Sequence, residues 1–306
     1  MTESKKSNHR RLWIGVIAVA ILGLGWMTLG GHRPRSLEAI YKGRTLPMNC
    51  GHRGASGLAP ENTMKAFEAA VKAGAECVEL DVMLSSDNKV VVFHDHNLEK
   101  RLYAEGVVKK MTWAQLQQVD VSDYFLEHSS IGPVSPGFRP SRMPLLRDVF
   151  RFFQQHPKVL INIEIKTNKA TGDGLEEALA GLIKEYKLES RVMVSSFNPF
   201  ALGRFAKVMP SIRRGQIYSQ DIAIYLRRLW LAGVSKPDAL HPDHSMVDKT
   251  YMKWAKKNGF PVHVWTVNQR SDMRRMLELG VQMIITDFPD RLAEETAAFQ
   301  KRLGKR

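Results

Sequence analysis

Two periodicities share this chain from residue 47 onwards. Short β-rich runs alternate with longer runs in which apolar residues fall three and four apart, the spacing of an amphipathic helix. Residues 47–52, 77–84 and 89–94 read as strands, the third built on Val90, Val91, Val92 and Phe93. Between the first two, Asn62 or Thr63 can cap a helix whose Ala66, Phe67, Ala70 and Val71 share one face before Gly74. No helix fits between the second and third strands, so a tight hairpin through Asp87 and Asn88 is the simplest connection. A two-residue turn there pairs Ser86 with Lys89 and sets Asp81 opposite His94. A slip by one residue would turn each side chain to the other face.

The pattern breaks over about 96–142. Thr112-Trp113-Ala114-Gln115 reads as a capping box before a short helix, and 131–137 is irregular by composition, so the segment is expected to be an insertion of the lid or binding-loop kind. An amphipathic helix over 144–155 and a strand over 159–166 resume the pattern. They are followed by helix 174–186, strand 191–195, a helix from Pro199, strand 213–217 and helix 222–231. Strand 238–241, helix 248–257, strand 261–266, helix 271–279 stopped by Gly280, strand 282–286 and a helix after Pro289 complete the series. Such repeated alternation predicts an α/β fold with a parallel sheet and helices outside it. The reading is a distorted TIM (β/α)8 barrel, with the hairpin over 77–94 supplying one strand more than a regular barrel needs. An open doubly wound sheet is the alternative.

Residues 12–30 follow neither period. They carry no charge, and as a helix they would span roughly 28 Å, close to the ~30 Å hydrocarbon thickness of a bilayer. Trp13 and Trp26 lie near the ends, where amphipathic rings favour the interface, and Lys5, Lys6, Arg10 and Arg11 precede the run. It reads as an N-terminal transmembrane helix and single-pass anchor. A cleaved signal peptide is the alternative, since Thr28 and Gly30 are small enough for a cleavage site. Arg33, Arg35, Lys42 and Arg44 nearly balance the positive-inside bias, and the short leading tail favours a catalytic domain outside the cytoplasm. The organisation is thus a basic tail over 1–11, an anchor over 12–30, a linker over 31–46, a barrel over 47–293 and a basic tail over 294–306.

The chain has 306 residues and a net charge of +14. Much of that excess sits in the flanks, which suits headgroup attraction, and no basic patch interleaved with aromatics points to nucleic acid. With 44% hydrophobic and 25% charged residues, a largely disordered chain is excluded. Cys50 and Cys77 lack metal-ligand spacing and read as buried free thiols. A disulfide between them stays open if their strands are neighbours outside the cytoplasm.

Candidate chemistry collects at predicted strand ends. His52, Glu79, Asp81, His94, Glu164, Lys166 and Trp265 would all reach the rim where barrel enzymes place their active sites. Glu79, Asp81 and Glu164 offer oxygen ligands suited to one divalent cation, Mg²⁺ or Ca²⁺. Arg53 offers a fork and Lys166 a point charge to an anionic substrate. His52 and His94 can act as acid and base. Acid–base catalysis supplies roughly 10²–10⁴-fold, whereas phosphate-monoester hydrolysis can need up to ~10²¹-fold, so electrostatic stabilisation must carry much of the rate.

Over nearly all of 47–293 the chain resembles the glycerophosphodiester phosphodiesterase family. The resemblance is carried, in order, by His52-Arg53-Gly54, Pro60-Glu61-Asn62-Thr63, Glu79-Leu80-Asp81-Val82, His94-Asp95, Glu164-Ile165-Lys166, Ser196-Phe197, Trp265-Thr266-Val267-Asn268 and Thr286-Asp287-Phe288-Pro289. It implies a TIM barrel that hydrolyses glycerophosphodiesters to sn-glycerol 3-phosphate and an alcohol. It implies His52 and His94 as the catalytic pair, and Glu79, Asp81 and Glu164 as metal ligands. Arg53 and Lys166 match phosphate contacts, and Phe197 and Trp265 match residues lining the substrate pocket. Cys50 departs from the usual aliphatic residue. The N-terminal run, absent from soluble members, raises a lipid-derived substrate, with a lysophospholipase D or sphingomyelinase D-like activity on acylated lipids as the alternative function.

Overall fold

Among the described residues, β-branched and aliphatic runs form nine strands in one sheet: β1 (Met48–Gly51), β2 (Cys77–Leu84), β3 (Val90–Val92), β4 (Leu160–Ile165), β5 (Val192–Ser196), β6 (Arg213–Tyr218), β7 (Ala239–Pro242), β8 (His263–Val264) and β9 (Met283–Thr286). The structure, a computed structural model, describes residues 32–100, 102–129, 136–167 and 169–304, together with Gly15. Parallel pairing runs β7-β6-β5-β4-β2-β1-β9-β8, and β3 pairs antiparallel with β2 outside that path. Single parallel bridges, Leu240 with Val262 and Asp243 with Trp265, join β7 to β8. They complete the ring, which excludes the open doubly wound alternative. The surplus strand is the hairpin partner of β2, as the spacing predicts.

Helices cover the barrel. Met64–Lys72 starts at Thr63, whose hydroxyl accepts the Ala66 N–H, and Asp248 caps Lys249–Lys257 in the same way. Gly280, at φ 72°, ends Arg270–Leu279. Outward side chains of the strands, among them Val78, Leu80, Ile161, Ile163 and Val194, pack on Phe67, Phe150, Phe153, Leu179 and Phe205. Inward, Met48, Cys50, Cys77, Leu160 and Met283 fill the floor. Apolar cover on both faces explains why these strands read as near-continuous hydrophobic runs. Cys50 and Cys77 face each other in register on β1 and β2, and both thiols are free and buried.

Several expectations need correction. Residues 32–46, read as a linker, close the barrel floor. Arg35 forks onto Asp238 at 2.9 and 2.6 Å, Leu37 is buried, and the helix Glu38–Tyr41 sets Ile40 and Tyr41 against the floor residues. One helical turn is too short to show a period. The β2–β3 register is one residue away from the expected one: Val82 pairs with Val92 and Leu84 with Val90, so Asp81 lies opposite Phe93, not His94. The turn holds three residues, 86–88, because Asp87 accepts from the Ser85 hydroxyl at 2.7 Å and from the Trp113 N–H at 2.9 Å, while Asn88 takes φ 58°. The helix expected over 222–231 is two short pieces, Ile224–Arg227 and Ala232–Ser235, broken where Leu229 takes φ 57°. The last helix, Pro289–Leu303, runs on through the segment read as a basic tail.

The insertion has its own apolar cluster, with Leu98, Leu102, Val108, Leu116, Val121 and Met143 packed on Met83, Val91 and Phe93. The capping box is present: Gln115 Oε1 accepts the Thr112 N–H at 2.9 Å. The anchor over 12–30, apart from Gly15, and residues 130–135 lie outside the described residues. Among the described residues no helix is long and apolar enough to cross a membrane.

Asn88 tests the turn. Asn88→Val is expected to cost about 1–2 kcal/mol in urea unfolding, because a β-branched residue resists the left-handed region, whereas Asn88→Gly should stay close to wild type.

Candidate active site

Parallel strands deliver their C-terminal ends to one rim, and the site is built there. β1 ends at Gly51, after which Arg53 (φ 51°) and Gly54 (φ 90°) turn the chain sharply. A Cβ on Gly54 would sit 2.6 Å from the Ala66 carbonyl carbon, so only glycine lets this turn pack on its helix. The turn aims Arg53 inwards. Its N–H donates to Glu79 Oε2 at 2.8 Å, its Nη1 to Glu61 Oε1 at 2.8 Å, and its Nε lies 3.3 Å from Asp81 Oδ2. Burial opposes the guanidinium charge, but the Glu61, Asp81 and Glu79 carboxylates outweigh it and push the pKa up.

The acidic cluster follows from register. Asp81 on β2 lies directly across from Glu164 on β4, and Glu79 is two residues earlier on the same face. One oxygen from each lies within 4.8 Å of the others, and all three residues are buried. Glu79 is pushed well up, first by burial and then by the charges of Asp81 and Glu164. Asp81 goes the other way despite its burial, because Lys166, Arg53 and His94 favour its anion. Lys166 Nζ donates to Glu164 Oε1 at 2.9 Å and lies 3.7 Å from Asp81 Oδ1, which keeps the ammonium charged against burial.

His52 and His94 line the same central cavity, of about 140 Å³, with Arg53, Glu79, Glu164, Phe197 and Trp265. His94 reaches it despite the shifted register because β3 has already ended at Val92. Trp265 and Phe197 meet edge to face with centroids 5.4 Å apart, and the indole N–H donates to the His241 carbonyl at 2.8 Å. Every site residue expected from the sequence therefore comes to this rim.

The sequence reading missed the supporting residues. Asp287, after β9, accepts from His52 Nδ1 at 2.6 Å, from Ser56 at 2.7 Å and from Asn268 Nδ2 at 2.6 Å. Burial pushes its carboxyl up, yet the charge and hydrogen bond of His52, with those of Ser56 and Asn268, bring it down to about 2. Asn62, at φ 55°, grips Asp81 by donating to its carboxylate at 2.8 Å and accepting its N–H at 3.2 Å. Asp287 ends a strand just as His52 and Glu164 do, so the strand-end rule could have found it. Glu61 and Asn62 sit in a loop, and no period marks them.

Comparison with known proteins agrees with this geometry. The model of the glycerophosphoryl diester phosphodiesterase family matches residues 52–291. A glycerophosphodiester phosphodiesterase of Caldanaerobacter subterraneus subsp. tengcongensis is 36% identical over 242 residues, covering 79% of this chain and 94% of the relative. The structure of a phosphodiesterase of Oleispira antarctica in complex with the product sn-glycerol-3-phosphate is 28% identical with a TM-score of 0.68, covering 82% of this chain and 96% of the other. A glycerophosphodiester phosphodiesterase of Agrobacterium tumefaciens shares the fold at a TM-score of 0.66 and 22% identity, covering 81% of this chain and 100% of the other. The strand-end histidines, the acidic triad and the matches over most of the barrel lead to one conclusion: the chain belongs to the glycerophosphoryl diester phosphodiesterase family and is a phosphoric diester hydrolase.

Proposed function

We propose that the chain is a membrane-anchored, metal-dependent enzyme that hydrolyses glycerophosphodiesters to sn-glycerol 3-phosphate and an alcohol, with His52 and His94 as its acid–base pair. One observation carries this reading: both histidines, Arg53, Glu79 and Glu164 border a single cavity at the strand ends, and Asp81 and Lys166 adjoin Glu164 in its wall. The product held by the Oleispira neighbour supports the same product here.

Glu79, Asp81 and Glu164 would hold one Mg²⁺ or Ca²⁺. The donor set fits, since burial and then the like charges of Asp81 and Glu164 push Glu79 up, and a cation would offset both. Such an ion supplies Lewis-acid polarisation of a phosphoryl oxygen. The chain's own groups do the rest. Arg53 and Lys166 keep positive charge at the cavity wall for the phosphoryl oxygens. Each histidine has Nδ1 against a carboxylate, Asp287 at 2.6 Å and Asp95 at 3.1 Å, which leaves Nε2 to exchange protons with substrate. One ring accepts a proton from the attacking hydroxyl and the other gives one to the leaving alkoxide. Phe197 and Trp265 form an aromatic wall of the pocket.

The uncharged run over 12–30 supports the anchor, with the catalytic domain on the extracytoplasmic side. Residues 32–46 pack beneath the barrel, so a helix just before them would hold it by the floor, opposite the active-site rim. Exposed Arg33, Lys42, Lys158, Lys187 and Lys236 precede strands at that end and suit anionic headgroups. A second reading, activity on acylated lipids, is favoured by one feature. A groove of about 510 Å³ leaves the rim beside Lys166 and Phe197, between Phe200, Ile222, Tyr225 and Leu226.

Release of glycerol 3-phosphate from glycerophosphocholine tests the main reading. His52→Ala and His94→Ala should each lower kcat by roughly 10²–10⁴-fold with the thermal transition intact, and EDTA should abolish turnover until Mg²⁺ or Ca²⁺ is restored. Wild-type rates in either variant, or full activity after thorough chelation, would overturn those roles. Alkaline carbonate washing should leave the full chain with membranes, and its recovery in the supernatant would remove the anchor. In a substrate panel, deacylated diesters are expected to be turned over faster than lysophosphatidylcholine. The reverse order, lost again in Tyr225→Asp, would favour the second reading.

A further inference from the structure

Two buried polar side chains at the base of the central cavity take no part in the chemistry above. Asn162 on β4 is in register with Glu79, one layer below the pair Asp81 and Glu164, and is 1% exposed. Neither its Oδ1 nor its Nδ2 has a partner among the described residues. His241 on β7 is fully buried and lines the same cavity, and its Nδ1 is also unpartnered. Buried amide and ring atoms without partners are rare and destabilising, so their presence in the lining of one cavity points to a hydrogen-bonding ligand.

The chain builds this base deliberately. Gly215 on β6 leaves the room that the imidazole occupies, since a Cβ there would sit 2.3 Å from His241 Nε2. That Nε2 meets His263 Nδ1 at 2.9 Å, and His263 Nε2 meets the Tyr41 hydroxyl at 2.7 Å. Burial keeps both rings neutral, so each carries one proton. Burial also keeps the phenol protonated. A Tyr41 O–H donating to His263 puts that ring's proton on Nδ1, which donates to His241 Nε2 and leaves the His241 proton on Nδ1. With Tyr41 accepting instead, His241 Nδ1 is an acceptor, so in either direction the chain presents one hydrogen-bonding nitrogen to the cavity, whose Asn162 amide offers both a donor and an acceptor.

We propose that Asn162 and His241 form a polyol subsite: the glycerol end of the diester enters the central cavity, and its hydroxyls pair with the Asn162 amide and with His241 Nδ1. The inference rests on the reading of this cavity as the diester site. The cavity, of about 140 Å³, is small, which favours a compact polyol end over a bulky alcohol group. Tyr41, in the segment before the barrel, is then a positioning residue for substrate. It acts through His263 without touching the ligand.

Calorimetric binding to the full chain of sn-glycerol 3-phosphate and of inorganic phosphate, which lacks the polyol, tests the subsite. Asn162→Leu removes both amide groups at similar volume. It should weaken glycerol 3-phosphate by about 3–10-fold per lost hydrogen bond and leave phosphate unchanged. Tyr41→Phe releases the tautomer of His241 and should raise KM for glycerophosphocholine at constant kcat, a split that a merely structural role would not give. Equal weakening of both ligands in folded Asn162→Leu, or none, overturns the subsite. So does a Tyr41→Phe enzyme with unchanged KM. Wild-type turnover of glycerophosphocholine reports separately on the phosphodiesterase reading.

Discussion

Three carboxylates held within 4.8 Å of one another and shielded from water are the constraint that the barrel mouth must satisfy. Like charges at that distance repel strongly where the dielectric is low, and a buried charge left unpaired is costly. Arg53 and Lys166 answer it directly, one from each side: Arg53 touches Glu79 and Asp81, and Lys166 touches Glu164 and Asp81. Asp81 is thereby held ionised, while Glu79 keeps the residual repulsion. A site arranged in this way is still short of positive charge on the Glu79 side, which the proposed divalent cation would supply.

The peculiarities of the loop after β1 follow from that requirement. A guanidinium can reach the triad only if the chain reverses within two residues of the strand end, and the left-handed conformations of Arg53 and Gly54 make that reversal. Asn62, itself left-handed, ties the same loop to Asp81 from the other side, and Thr63 next to it starts the following helix. Catalytic and structural roles are not separable here. The bonds that orient Arg53 also close the βα loop over the acidic cluster.

The two ends of the barrel are linked by polar groups through its interior. At the floor, Arg35 clamps Asp238 and Tyr41 meets His263. Above it, His241 borders the base of the cavity that His52 and His94 also line. Most barrel interiors are filled by branched aliphatic residues. Here the layer between floor and rim carries the polar side chains of Asn162, Ser195 and His241, with Gly215 making space for the imidazole, so polar groups stand where apolar packing is usual. The insertion acts differently. Its own apolar cluster packs on β2 and β3, and it forms a side wall to the polar lobe where Tyr124 and His128 sit beside His52.

Much was legible in the chain itself. β-rich runs located β2 and β4, and with them Glu79, Asp81, Glu164 and Lys166, because strand geometry sets residues two apart on one face. The hairpin between β2 and β3 was visible, but not its register, since a three-residue turn held by Asp87 and a two-residue turn look alike until their hydrogen bonds form. Asp287, Glu61 and Asn62 gave no periodic signal, and neither did the floor segment 32–46. Their importance comes from contacts across many tens or hundreds of positions. Local sequence specifies which residues can share a strand face. Only closure of the ring determines which faces meet, and so which buried polar atoms find partners and which are left to a ligand.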